Sequence, residues 1–244
     1  MAYAIKIMIL LVDADSLVWS SCFKKRENKE DSPYFDNIED ATDKFDEVFM
    51  SIVNKIEAIY PVDDYLLFNN SKGNFRTKIS KTYKANRKNQ PRPELLGQVH
   101  NFVTEQYGGI AEAGVETDDV VAKYWFNMTQ EYGRNEVMIV SIDKDYKQFP
   151  CLMYNYHIKH QCVHDITEEE ALYNFYEQMI IGDTADNVNY CKGYGVKFTE
   201  KYLVDCVTKY QYTRKVFELF KKIHKSKARE RYLLCYNLLK LRTE

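Results

Sequence analysis

The stretch EVMIVSID, residues 136–143, joins an uninterrupted apolar run to an acidic side chain. A short run of this kind, rich in Val and Ile, predicts a β-strand that is buried on both faces. The stretch IKIMILLVD, residues 5–13, has the same form, and it ends at Asp13 as the first ends at Asp143. Strands without a polar face are typical of a parallel sheet, in which neighbouring strands bring their carboxyl ends to the same edge.

Amphipathic helices are predicted between and around these strands. The segment 41–60 carries an apolar stripe at helical spacing, and residues 167–181 begin with Thr167 and Glu170 in capping-box spacing. Further helices are predicted at 93–107 and 117–131, and further strands at 64–70, 109–113 and 151–156. Because strands alternate with helices, we expect an α/β fold with a mostly parallel central sheet flanked by helices.

The composition is that of one globular domain. Of the 244 residues, 45% are hydrophobic and 29% charged, which predicts a substantial core within a single domain, 1–244. The apolar run at 5–12 is too short to cross a membrane and lacks the features of a signal peptide. Six cysteines without a CxxC pair suit a reducing compartment. We therefore expect a cytoplasmic monomer that does not bind membranes.

One cluster of potential zinc ligands, HIKHQCVH at 157–164, allows two interpretations. Its candidate ligands are His157, His160, Cys162 and His164. Structural zinc sites usually combine ligand pairs that are separated along the chain. The alternation of polar and apolar residues instead favours a strand with one polar face.

Charge is distributed unevenly along the chain. Residues 209–244 contain 11 Lys or Arg and 3 acids, an excess of +8, so the net charge of −2 leaves −10 for the remainder. A solvated helix face is one explanation of the basic part. A basic segment beside an acidic body also suits a protein that holds a polyanion at one place and metal cations at another.

Acidic residues recur where predicted elements begin or end. GVETDDVVAKYW, residues 114–125, crowds three acids at a helix start, where capping alone could explain them. Further acids follow two strands and one helix, so that nine carboxylates stand at four element ends: Asp13, Asp15, Glu116, Asp118, Asp119, Asp143, Asp145, Asp183 and Asp186. Carboxylates that converge on one rim need cations, and oxygen ligands favour Mg²⁺ or Mn²⁺. Two such ions can serve phosphodiester hydrolysis.

Five motifs, in order, resemble the 5′-nuclease (flap endonuclease) family. They are VDADSL, FRTKISKTYKANR, GVETDDVVA, IVSIDKDYKQF and IIGDTADNVNYCKGYGVK, spread over residues 7–205. The chain looks closest to the bacteriophage 5′→3′ exonucleases and the 5′-nuclease domain of bacterial DNA polymerase I. The resemblance implies a PIN/5′-nuclease-like fold, with a small helical arch at 80–112, a helix–three-turn–helix at 185–208 and a basic helical part at 209–244.

The resemblance also assigns metal ligands. Asn69 stands where the family has an acid, seven residues before Arg76, and Asp15 matches a variable position that we treat as non-catalytic. The implied ligands of two Mg²⁺ or Mn²⁺ ions are Asp13, Asn69, Glu116, Asp118, Asp119, Asp143, Asp145, Asp183 and Asp186.

The catalytic and DNA-binding residues follow from the same resemblance. Lys84 and Arg87 match the basic pair beside the scissile phosphate. The helix–three-turn–helix, in which Tyr190 replaces a usual glycine, would hold K⁺ and grip duplex DNA. The implied DNA contacts are Arg76, Lys84, Arg87, Lys192, Gly193, Gly195 and Lys197.

The expected function is therefore hydrolysis of phosphodiesters near 5′ ends. The substrates would be DNA with 5′ flaps or ends, or RNA primers on DNA, in replication or repair with replication proteins as possible partners. A phage source, and hence the host cytoplasm, is one expectation. Two alternatives stay open: a DNA-structure-binding protein with weakened or lost catalysis, suggested by Asn69, and a PIN-type ribonuclease.

Overall fold

A five-stranded sheet forms the centre of the computed structural model, which describes residues 8–26, 28, 30–70, 73–88 and 90–243. Its strands are β1 (Ile9–Asp13), β2 (Asp64–Phe68), β3 (Val137–Val140), β4 (Leu152–Asn155) and β5 (Cys162–Asp165). In the order β2–β1–β3–β4–β5, all neighbours are parallel except β4 and β5. The mostly parallel sheet is thus confirmed; residues 5–7 of the first predicted strand lie outside the described residues.

Helices cover both faces of this sheet and form a body beside it. They are α1 (Asp15–Ser21), α2 (Ile38–Glu57), α3 (Phe75–Ile79), α4 (Leu96–Tyr107), α5 (Thr117–Tyr132), α6 (Glu168–Ile181), α7 (Val196–Leu203), α8 (Lys209–His224) and α9 (Ala228–Leu239). The capping box predicted at the start of α6 is present, with Thr167 and Glu170 bonded reciprocally.

The side chains of β1 show why the strand has no polar face. Leu10 and Val12 pack into a core with α1, α2 and α4, whereas Ile9 and Leu11 pack into a second core with α5. Since successive side chains of a strand point to opposite faces, both faces of β1 must be apolar. The acid at its end, Asp13, is then delivered to the carboxyl edge of the sheet.

A third core joins the four C-terminal helices. It buries Met179 of α6, Leu203 of α7, Phe220 of α8 and Tyr232 of α9, together with Val188 from the turn between α6 and α7. The segment 185–208, predicted as a helix–three-turn–helix, therefore comprises most of the turn after α6, helix α7 and the residues that follow it. The predicted basic part at 209–244 is helical, as α8 and α9.

The segment 80–112 differs from the predicted arch. One 3-10 turn, Ala85–Arg87, is followed by α4, whose Val99 and Val103 are fully buried against the core around α2. The apolar face of α4 makes this helix part of the main core. The strand predicted at 109–113 is reduced to a single bridge between Ile110 and Phe68.

The zinc interpretation at 157–164 gains no support from the structure. Only Cys162 and His164 belong to β5, and His157 and His160 precede it. In the part of the chain that the structure describes, the one group of three or more close carboxylate, His or Cys ligands is Glu116, Asp118 and Asp119. Within the same residues, no helix is long and apolar enough to span a membrane.

Candidate metal centre

The carboxyl edge of the sheet carries the first acidic pair. Asp13 ends β1 and accepts hydrogen bonds from the Ser141 hydroxyl (3.2 Å) and the Tyr146 hydroxyl (2.9 Å). Burial, and then the negative charge of Asp143, raise the pKa of Asp13 to about 6. Because β1 and β3 are adjacent and parallel, Asp13 and the acids that follow β3 lie at one rim.

Asp143 and Asp145 form the second part of the rim. Asp143 caps a short 3-10 helix, Lys144–Gln148, by accepting a hydrogen bond from the Asp145 amide (2.9 Å). Burial, followed by the charge of Asp143, raises the pKa of Asp145 to about 8. Gln178 on α6 donates to Asp145 (2.7 Å) and to Asp183 (3.4 Å), and so links this pair to the next acids.

The turn after α6 brings Asp183 and Asp186 to the same rim. At Gly182 the backbone has φ 82°, and a Cβ there would lie 2.2 Å from the Val188 carbonyl oxygen, so only glycine fits. Asp183 accepts from the Asp186 amide (3.1 Å) and pairs with Lys144 (2.9 Å). Burial alone would raise the pKa of Asp183, but Lys144 holds it below its usual value.

Three acids meet at the start of α5, where their carboxylate oxygens lie within 4.8 Å of one another. The N-cap residue is Glu116, whose side chain makes no capping hydrogen bond, and Asp118 accepts from the amide of the next residue, Asp119 (2.8 Å). Burial, and then the charges of Glu116 and Asp119, raise the pKa of Asp118 well above its usual value. Burial alone would raise the pKa of Glu116, but Lys84 and Arg76 lower it.

Arg76 corrects one prediction, because it does not face solvent where DNA could bind. Its side chain is 1% exposed and pairs with both oxygens of Asp119 (2.5 and 2.9 Å) and with Glu116 (2.7 Å). The carbonyl oxygens of Leu238 and Lys240 accept its remaining N–H groups, both at 3.0 Å. The guanidinium is therefore an internal counter-ion that connects the acids of α5 to the end of α9.

Lys84 closes the rim between α5 and the turn after α6. Its ammonium donates to Glu116 and lies 3.7 Å from Asp186. Burial opposes its charge, but Glu116 and Asp186 raise the pKa of Lys84, so it stays protonated. The Tyr83 hydroxyl donates to Asp186 (2.7 Å) and lies 3.1 Å from Glu116, so it bridges the same two acids. Arg87, with a side chain 43% exposed, donates to Asp186 (2.7 Å).

Two asparagines, which sequence reasoning missed, fasten these cations to the acidic turn. Asn86 donates to the Thr184 carbonyl (3.0 Å), and Asn187 donates to the Thr82 carbonyl (2.8 Å). The Lys84 amide also donates to the Asp186 carbonyl (3.0 Å). Segments a hundred residues apart are joined here by amide side chains, and no periodic or spacing signal in the sequence identifies such contacts.

Asn69 is a second correction. Its Nδ2 donates to the His100 carbonyl (2.7 Å) and to the Thr104 hydroxyl (3.0 Å), both on α4. Its Oδ1 accepts from the Asn70 amide (3.1 Å) and contacts His100 Nδ1. The amide of Asn69 is therefore engaged with α4 and the adjacent chain rather than with the acids of the rim.

Asp15 is an acid for which the sequence pattern gives no role. One carboxylate oxygen accepts from the Thr117 hydroxyl (2.8 Å), and the other is buried with no hydrogen-bond partner. Burial, and then the charge of Asp13, raise the pKa of Asp15 to about 7. A charged Asp15 therefore adds to the repulsion among the carboxylates of the rim.

The donor set of the rim fits hard divalent cations. Eight predicted acids occupy it, and four cationic side chains contact them, which leaves a local excess of negative charge. These cations are Arg76, Lys84, Arg87 and Lys144. Burial, and then the charge of Asp143, raise the pKa values of Asp13 and Asp145, as expected for carboxylates crowded together in a buried site. Carboxylate oxygens without Cys or His suit Mg²⁺ or Mn²⁺ better than softer metals.

The remaining predicted DNA contacts lie in a segment that we call the turn at 188–197, which joins α6 to α7 and includes the first two residues of α7. Lys192, Gly193, Gly195 and Lys197 are all exposed, and neither lysine forms an ion pair within the described part of the chain. Gly193 has φ 92°, a conformation that favours glycine and brings the backbone to the surface. This surface could receive phosphate groups through lysine and backbone N–H contacts.

Comparison with known proteins agrees with the predicted family. A family model described as "5′-3′ exonuclease, N-terminal resolvase-like domain" matches residues 8–177. A 5′-3′ exonuclease of Buchnera aphidicola subsp. Schizaphis graminum (strain Sg) is 29% identical over 145 residues, which are 54% of this chain and 49% of that protein. The chain thus spans about half the length of that curated relative.

Solved structures from bacteriophage T5 share the fold. T5 5′-exonuclease with bound zinc has a TM-score of 0.61 at 13% identity, over 96% of this chain and 100% of that one. A T5 flap endonuclease in a pseudo-enzyme–product complex with DNA and metal ions has a TM-score of 0.60 at 12% identity, over 95% and 98%. At these identities the likeness shows the fold, and the PIN/5′-nuclease-like architecture is confirmed.

Proposed function

Because the chain belongs to the family of 5′-3′ exonucleases with an N-terminal resolvase-like domain, we propose that it is a structure-specific 5′-nuclease. It would hydrolyse phosphodiester bonds near the 5′ ends of DNA, as a 5′→3′ exonuclease or flap endonuclease. One observation carries the proposal: an under-compensated carboxylate rim whose border is formed by two cationic residues, Lys84 and Arg87.

Two divalent cations, Mg²⁺ or Mn²⁺, would bind the rim. Asp119 stands behind the ligands, since Arg76 already neutralises both of its oxygens. The side chains that would hold the ions are Asp13, Glu116, Asp118, Asp143, Asp145, Asp183 and Asp186. When bound, the ions would supply Lewis-acid charge for the attacking and leaving oxygens of a phosphodiester.

Lys84 and Arg87 would bind and orient the scissile phosphate. Both contact Asp186, so they stand beside the acids where a metal-bound phosphate would arrive. Their fixed positive charge would stabilise negative charge that develops on the phosphoryl oxygens. The raised pKa of Lys84 keeps its ammonium protonated at neutral pH, as this role requires.

The turn with Lys192 and Lys197 would hold the duplex part of the substrate, with K⁺ among its backbone carbonyls. The substrates we propose are DNA with 5′ flaps or ends and RNA primers on DNA, in replication or repair. We also propose that the protein acts as a cytoplasmic monomer, in the host cytoplasm if it is viral. In such a role its protein partners would be replication proteins.

A gel assay tests this function directly. A flap substrate labelled at its 5′ end should release short labelled products with Mg²⁺ and remain intact with chelator. The same substrate in RNA form separates the nuclease from a PIN-type ribonuclease, which would prefer the RNA. Absence of cleavage with either Mg²⁺ or Mn²⁺ would leave a DNA-structure-binding protein. Asn69, which suggests that alternative, donates its amide to α4.

A further inference from the structure

A strongly cationic surface lies where α8 turns into α9. We call residues 221–229 the α8–α9 corner. Its five Lys and Arg side chains are exposed, and none forms an ion pair with any carboxylate among the residues that the structure describes: Lys221, Lys222, Lys225, Lys227 and Arg229. The nearby acid, Glu230, lies 3.9 Å from Arg231 instead. The positive charge of the corner is therefore not compensated within the protein.

Helix stability accounts for only part of this charge. Lys221 and Lys222 lie in the last turn of α8, where the helix dipole favours cations. Lys227 and Arg229 lie at the start of α9, where the same dipole disfavours them. Lys225 has φ 53° and ψ −118°, a conformation that suits glycine better. Three cations thus occupy positions that oppose the local structure, which indicates an anionic ligand.

The corner is fixed against the turn that precedes α7. His224 Nε2 forms a hydrogen bond with the Tyr190 carbonyl (2.8 Å), two residues before Lys192. Beneath this contact, Cys191 of the turn and Ala228 of α9 are buried in the same core. The corner and the turn at 188–197 are therefore packed against each other, and both carry exposed cations that form no ion pair among the described residues.

We propose that the α8–α9 corner is a second phosphate-contacting surface, which extends the grip of the turn at 188–197 along the duplex arm of the DNA. The proposal rests on the proposed function, because it needs a substrate with a double-stranded arm. Lysine and arginine side chains bind the backbone without reading bases, so the contact is independent of sequence. Its role is to hold the duplex at a fixed place relative to the acidic rim.

The test is the salt dependence of binding to a blunt duplex. The variant Lys225→Gln/Lys227→Gln/Arg229→Gln is compared with a matched control, Lys25→Gln/Lys55→Gln/Lys159→Gln, which removes three exposed cations elsewhere. Loss of three phosphate contacts should reduce the slope of log K against log salt by about 2.7 and weaken binding roughly 500-fold near 0.1 M salt. An equal change in the control, or no change in the corner variant, would overturn the proposal.

A single substitution separates binding from folding. Lys225→Gly removes one cation and also relieves the positive φ, so its thermal stability should equal or exceed that of the unchanged protein. Its duplex affinity should nevertheless fall several-fold, with a slope change of about 0.9. Retained affinity in this variant and in the triple variant would mean that the corner faces solvent. Equal losses for single-stranded DNA of the same length would refute the duplex assignment.

Cleavage assays keep this inference distinct from the proposed function. With Mg²⁺, the corner variant should need more flap DNA than the unchanged protein to reach half-maximal cleavage, because it lacks duplex contacts while the acidic rim is untouched. If the unchanged protein cleaves flap DNA and the corner variant has the same salt slope for duplex binding, the phosphate-contacting role of the corner is refuted and the nuclease function is supported. If the unchanged protein does not cleave but the corner variant loses duplex binding, the duplex-binding surface is supported and the nuclease function is refuted.

Discussion

Replacement of Arg76 by Met should destabilise the fold more than any change at the exposed border of the rim. The guanidinium is 1% exposed, pairs with two carboxylates and satisfies two backbone carbonyls of the C-terminal part. Its removal leaves Asp119 buried, charged and without its bidentate partner. Breaking a buried pair in this way costs about 3–5 kcal/mol, a large part of the roughly 5–15 kcal/mol by which folded domains are stable.

Urea denaturation of Arg76→Met and Arg87→Met measures this difference. Arg87 contacts the same rim, but its side chain is 43% exposed, so its loss should cost less than about 1 kcal/mol. Arg76→Lys retains the charge but loses the planar fork, and should fall between the two. If Arg76→Met unfolds at the same urea concentration as the unchanged protein and instead weakens DNA binding, then Arg76 contacts DNA and is not an internal counter-ion.

Three further predictions concern the rim. The folded state raises the pKa of Asp145 to about 8, so between about pH 4 and pH 8 the metal-free fold binds more protons than the unfolded chain. The free energy of unfolding should therefore fall as pH rises through this range. In a melting experiment at high pH, added Mg²⁺ should restore the lost stability. Asn69→Asp loses two hydrogen-bond donors to α4, and its carboxylate would face the His100 carbonyl, so the free energy of unfolding should fall by roughly 1–3 kcal/mol. The Mg²⁺ concentration that gives half-maximal cleavage should not change. A lower concentration would show that residue 69 is a metal ligand. Lys84→Ala should reduce kcat about 10²–10³-fold with little change in DNA affinity, whereas the exposed neighbour Lys81→Ala should not; a pure affinity loss would contradict the catalytic role.

The strands and their terminal acids could be predicted because both follow from local pattern. A run such as VMIV in β3 is buried on both faces of the sheet, and the acid that follows it must then lie near the carboxyl edge. The same reasoning placed Asp13 at the end of β1, and it placed the start of α5 at Thr117. These features depend on residues that are close together in the chain.

The misplaced predictions depend on contacts between distant segments. Arg76 is exposed or buried according to where α9 ends, 162 residues later. The partners of Asn69 depend on whether α4 packs beside it, because Asn69 donates to the His100 carbonyl of that helix. The sequence alone does not show where α4 packs. Asn86 and Asn187 likewise gain their role only when the acidic turn docks against the segment 82–87.

The central claim is that the acidic rim is a metal-dependent nuclease site, and Asp145→Ala tests it most directly. The matched control is Asp165→Ala, because Asp165 pairs with the first residue of β4 and so lies at the opposite edge of the sheet. With Mg²⁺ and a 5′-labelled flap, Asp145→Ala should show no cleavage while its DNA affinity is unchanged or higher, since a negative charge near phosphate is lost. Asp165→Ala should cleave normally. Full cleavage by Asp145→Ala would contradict the account.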